Sequence, residues 1–216
     1  MNKRLKNLKT GDLLLCSWHT PPCNSCCSCC FNIFDRCIQW GSHSNWTHSA
    51  VVLKDPTFIH PALKGLYVWE SSSEGLPDPQ DGKKKIGVQI TPIHELINSY
   101  KGRGVIIVRP IHSEPNLFTD KNLKQVHDVV YGKSYDLNPI DWIEAFLKKD
   151  LNPQKTDSFW CSALCGFIYT KCGLLDSKTD WSILAPNDFD IAQDGIHGGL
   201  KWMSGNWLGS EELRLV

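Results

Sequence analysis

The chain has 216 residues, 41% of them hydrophobic and 21% charged, a balance that fits one globular domain and excludes bulk disorder. Its 23 basic and 23 acidic side chains cancel to a formal net charge of zero, so no basic face for a nucleic-acid partner is expected. No run of about 18 apolar residues is present to span a bilayer, and the basic Met1–Lys9 has no apolar stretch behind it of the kind a secretory signal carries.

Lys9–Trp18 reads as a turn followed by a short buried strand. A cysteine-rich loop then runs into a short apolar segment, Phe31–Trp40; the insertion as a whole is placed at residues 19–37. It holds six of the ten cysteines: Cys23, Cys26, Cys27, Cys29, Cys30 and Cys37. Without a signal segment, reduced thiols and a cytoplasmic location are expected, with membrane or virion association as alternatives. The loop has three readings. Its Cys-x-x-Cys spacing suits zinc, but no second ligand pair follows at a typical finger distance. S-acylation beside Phe31, Ile33 and Phe34 would give peripheral membrane contact through residues 23–37. The third reading is an inert exposed loop. No metal and no cofactor is assigned.

Residues 46–53, rich in β-branched side chains, predict a strand, and Asp55-Pro56 and His60-Pro61 break the chain after it. Residues 66–71 predict a second strand, 72–85 a polar, solvated loop with the run Lys83–Lys85, and 86–90 a short strand. Thr91 as N-cap and Pro92 as first residue open a helix that runs to about Tyr100 and stops at Gly102. Val105–Pro110 is a buried strand. Leu123, Val126, His127 and Val130 share a helical stripe that ends at Gly132. Asn138-Pro139 starts another amphipathic helix. Residues 176–216 are mixed, with Trp181, Trp202 and Trp207. Strands first and helices later make an α+β pattern, a single domain over residues 1–216 with an antiparallel sheet or half-barrel against a cysteine helix.

That helix follows Asp157 or Ser158 as cap, which puts Cys161 at about its third or fourth position. A thiol there lies at the positive end of the helix dipole, which favours thiolate. Cys161 is therefore either a small core hydrophobe or a nucleophile, whereas Cys165 and Cys172, deeper in the helix, read as core. A nucleophile needs a base within hydrogen-bond reach. Of the eight histidines only His48 lies within a strand, on one face with Ala50 and Val52. If Val52 pairs with Leu66, His48 falls opposite Glu70, which would orient the imidazole. Asp55 and Glu74 are weaker candidates for that role.

Four pieces then occur in one order: Gly11-Asp12-Leu-Leu; Thr47-His48-Ser-Ala-Val-Val; Val68-Trp-Glu70-Ser-Ser; and Phe159-Trp-Cys161-Ser-Ala-Leu. In this order the chain resembles the circularly permuted papain-like hydrolases of the NlpC superfamily, closest to the YiiX/YaeF-like permuted amidases, which have relatives in large DNA viruses. Gly132-Lys-Ser-Tyr135-Asp136 and Ala185-Pro-Asn-Asp-Phe189 also look like family elements, so the resemblance covers most of residues 10–190. It implies Cys161 as nucleophile, His48 as base and acid, and Glu70 as orienting residue. Ala163 departs from the glutamate that relatives often carry there, and the long cysteine-rich loop is a second departure. The implied activity is cysteine-dependent hydrolysis or acyl transfer on an amide or ester, the substrate being a peptide or amino-acid amide or an acyl lipid. The rival is a silent binding or virion-structural protein on the same fold.

Overall fold

A computed structural model of the protein describes residues 5–18, 45–72, 76–136, 154–190 and 200–216. The first strands, β1 (Leu13–Trp18) and β2 (His48–Lys54), are buried along nearly their whole length rather than at alternate positions. Such near-continuous apolar runs suit a sheet covered on both faces. They lie at the centre of one, between β5 (Gly104–Arg109) and β3 (Leu66–Ser72). β4 (Gly87–Pro92), β7 (Ser134–Tyr135) and β8 (Ser158–Phe159) extend it on one side, and β10 (Leu213–Arg214) closes the other. The order is β10-β5-β1-β2-β3-β4-β7-β8, antiparallel throughout except for the parallel pair β7–β8. β6 (Ile111–His112) and β9 (Trp207–Leu208) form a separate pair.

The helices are α1 (Ile93–Tyr100), α2 (Asp120–Val130) and α3 (Cys161–Lys171). Strand alternation sorts the core into two layers. Leu13, Leu15, Val51, Leu53, Trp69, Val88 and Ile107 face α2 and α3. Leu14, Cys16, Ala50, Val52, Val68 and Val108 face Ile93, Leu96 and Tyr100 of α1. The molecule is thus an α+β protein with a large, mostly antiparallel sheet. Among the described residues no helix is long and apolar enough to cross a membrane.

α3 is buried all round from Cys161 to Tyr169, as expected of a helix apolar on every side. Trp181 covers it, stacked on Phe159 and edge-on to Phe167 with ring centroids 5.4 and 5.0 Å apart. Gly166 permits this approach: a Cβ there would stand 2.5 Å from Leu184 Cδ1 and 2.9 Å from Trp181 Cβ.

Some expectations shift. Pro92 ends β4 by pairing with Tyr67 and serves as N-cap of α1, so Thr91 belongs to the strand rather than to a helix cap. The loop around residue 80 is not simply solvated. Asp78 is fully buried and takes a hydrogen bond from Lys85 Nζ at 2.7 Å, and Lys85 also pairs with Asp81 at 3.0 Å. The cysteine-rich segment 19–37, Glu74 and the helix expected from Asn138 lie outside the described residues.

Candidate active site

β2 and β3 pair only from Lys54–Leu66 to Val51–Trp69, although β2 begins at His48 and β3 continues to Ser72. Beyond that point β3 stays with β4, through Glu70–Gln89 and Ser71–Val88, and β2 stays with β1, through Cys16–His48. The two central strands therefore part into a fork. The register corrects the expected one by two residues, with Val52 opposite Val68 rather than Leu66. The connecting loop sets it: Asp55, in the left-handed region at φ 49°, accepts Gly65 N–H on its side chain at 2.7 Å and donates its own N–H to Gly65 O at 2.8 Å. A two-residue offset leaves every side chain on its face. His48 thus lies diagonal to Glu70 rather than opposite it, still within reach across the sheet.

His48 Nε2 meets Glu70 Oε2 at 2.8 Å. The Glu70 side chain is fully buried, and that of His48 is 14% exposed. The other carboxylate oxygen, Oε1, accepts the Thr91 hydroxyl at 2.5 Å and the Gln89 amide at 3.4 Å, and the same amide donates to Thr91 Oγ1 at 3.1 Å. Gln89 and Thr91 were not expected from the sequence to touch this carboxylate. Their signal is there: two polar residues at alternate positions of Gly87-Val-Gln-Ile-Thr91 mark one face of a strand whose other face is apolar.

Cys161 enters the fork from the opposite side of the sheet. It is the first residue of α3, not the third or fourth, because Ser158 and Phe159 are held as β8 against β7 and Ser158 Oγ donates to Asp136 at 3.0 Å instead of capping. Trp160 is the N-cap, with no side-chain cap bond. Ser71 Oγ ties the approach down by donating to Phe159 O at 2.5 Å. The Cys161 thiol, on a residue only 4% exposed, lies close enough to His48 and to the N–H and hydroxyl of Ser49 for each to act on its ionisation. With Nε2 committed to Glu70, Nδ1 is the imidazole nitrogen left for the thiol.

Burial opposes charge on all three groups, and their mutual contacts overcome it. Burial pulls the His48 imidazolium down, but hydrogen bonds to Cys161 and then Glu70 raise its pKa well above the usual histidine value. Burial pushes the Cys161 thiol up, but the His48 hydrogen bond and charge, then the Ser49 groups, bring it below the usual thiol value. Burial likewise raises Glu70, and His48 followed by Thr91 and Gln89 lowers it below the carboxylate value. The arrangement favours a thiolate–imidazolium pair oriented by a carboxylate. Burial lifts Cys165 far above the thiol range and pushes Cys172 up to about 12, so both stay neutral.

The other described histidines are engaged elsewhere. His60 Nδ1 accepts Ala62 N–H at 3.2 Å, His112 stacks on Trp207 at 4.7 Å, and His127 Nε2 meets Gln80 at 2.6 Å. His94 is exposed beside Glu95. Among the described residues no three His, Cys, Asp or Glu side chains are grouped to hold a metal ion.

Fold and site define the class: an α+β protein in which a helix-start cysteine lies beside a strand histidine that is hydrogen-bonded to a buried glutamate. No model of a known protein family matches this chain, and no curated protein matches it either.

Proposed function

We propose that the protein is a cysteine-dependent hydrolase or acyltransferase acting on an amide or ester, in a permuted papain-like arrangement of the NlpC type. The observation that carries this reading is the convergence of Cys161, His48 and Glu70, with His48 Nε2 2.8 Å from Glu70 Oε2, the Cys161 thiol beside the imidazole, and the base encoded before the nucleophile. His48 holds the proton of Cys161, and the thiolate attacks the carbonyl carbon to form a C–S bond. The carbonyl oxygen takes the negative charge. The N–H of Cys161, in the first turn of α3 with no intrahelical acceptor, is a donor available to it. Collapse breaks the C–N or C–O bond while the His48 imidazolium protonates the leaving group. Water, deprotonated by His48, then attacks the thioester carbon, the C–S bond breaks and the thiolate returns. Glu70 keeps the ring oriented and stabilises its cationic form without taking the proton. The substrate is a peptide or amino-acid amide, or an acyl lipid.

Treatment of the full chain with thiol-directed acyl probes, one peptidyl and one fatty-acyl, tests this. The expected result is a single adduct that maps to Cys161 and is absent from Cys161→Ala. Equal labelling of the alanine variant, or an adduct confined to residues 19–37, overturns it.

A further inference from the structure

The Cys161 thiol is held from two sides, and only the histidine side takes part in the steps above. The other side is Ser49. The N–H groups of β2 that turn toward β1 are the even-numbered ones, as the bond from Val52 N to Asp12 O at 2.8 Å shows, so Ser49 N–H points toward β3. The fork has removed β3 at this level, and the N–H that a continued ladder would have used lies close enough to Cys161 to lower the pKa of its thiol. The Ser49 hydroxyl acts on the same thiol in the same direction. One helical turn below Cys161, Cys165 Sγ lies 3.5 Å from Ser49 Oγ. Ser49 and Cys165 are both fully buried. Cys165 stays protonated there, so its S–H is available as a donor.

We infer that Ser49 and Cys165 are positioning residues for the nucleophile: the Cys165 S–H donates to Ser49 Oγ, and the Ser49 O–H donates to Cys161 Sγ, a relay that fixes the thiolate in the fork. This rests on the reading of Cys161 as a thiolate nucleophile. The titratable groups around that sulfur are His48 from β2, Glu70 behind it on β3, and Cys165 on its own helix. No bond is made or broken in the relay; it supplies hydrogen bonds to a charged acceptor, which are the stronger kind.

The test uses iodoacetamide alone, with Cys161 alkylation followed across pH by peptide mapping on the full chain. Ser49→Ala moves the apparent thiol pKa up by about one pH unit, a roughly tenfold slower reaction at pH values below it. Ser49→Thr, which keeps the hydroxyl, restores the wild-type profile. Cys165→Ala moves it the same way by less, and Cys165→Ser restores it. A Ser49→Ala profile that superimposes on the wild type overturns the inference. Should Ser49→Ala fail to fold, coincident profiles for Cys165→Ala and Cys165→Ser overturn it instead. Failure of the underlying reading looks different: a wild-type thiol that titrates as an ordinary cysteine and is indifferent to His48→Ala.

Discussion

His48 is the residue on which the site's charge balance turns, and its direction of shift fixes the pH behaviour. It binds its proton more tightly folded than unfolded. Its contribution to stability is complete below its ordinary value of 6.5 and is lost as pH rises through the raised folded value. Glu70 and Cys161 run the other way. The contribution of Glu70 is present above 4.5 and lost as pH falls through its depressed value; that of Cys161 is present above 9.0 and lost as pH falls through its lowered one. Alkylation of Cys161 therefore rises through the lowered thiol value, at lower pH than for an ordinary thiol, and His48→Ala moves that rise up. Thr91→Val removes the hydroxyl from Glu70 Oε1, raises the Glu70 pKa and moves the acid-side loss of stability up by about one pH unit, and Thr91→Ser restores it. Alkylation across pH reads the first, and urea midpoints across acid pH read the second. At this scale the sequence was informative for the three ionisable groups, whose chemistry is written in residue type. It was silent on Thr91 because Thr-Pro is also a good helix start, and the pairing of Pro92 with Tyr67 decides between the two.

Among the elements, α3 depends on closeness. Its apolar run announced a buried helix, but the start of that helix moved from Asp157 or Ser158 to Trp160 once β8 claimed the residues before it. Local capping preference yielded to strand pairing between distant segments, which no local signal encodes. The β2–β3 register, by contrast, is held within their own connection, by the Asp55–Gly65 pair rather than by the apolar pattern of the strands. Gly166 is where α3 meets the turn Trp181–Ile183. Gly166→Ala gains helix propensity but drives a methyl into Trp181 Cβ and Leu184, and it lowers stability by about 1–3 kcal/mol in urea unfolding. An unchanged or raised midpoint would show that Trp181 moves aside without cost.

Across the whole molecule, distant parts of the chain are fastened by a buried cation. Arg109 in β5, 1% exposed, pairs with Asp190 at 2.5 Å and with Glu212 at 2.8 Å, and Trp46 Nε1 donates to Asp190 at 2.6 Å. This ties the entrance of the histidine strand to the segment before β10. Arg109→Ala leaves Asp190 without its cation and costs about 3–5 kcal/mol, measurable as a lower urea midpoint. The sequence pattern identified an α+β chain with strands leading and helices following, because hydrophobic periodicity is local. It did not reveal β9 and β10, two-residue strands too short to carry a period.

The fork between β2 and β3 has a consequence in time. His48 and Glu70 leave the ribosome well before Cys161, in a sheet whose opening has nothing yet to fill it. Until α3 docks there, the thiol is an ordinary cysteine and the histidine an ordinary base. The three groups therefore perturb one another only once α3 is in place, so a chain in which it is undocked carries the residues of the site without their coupling.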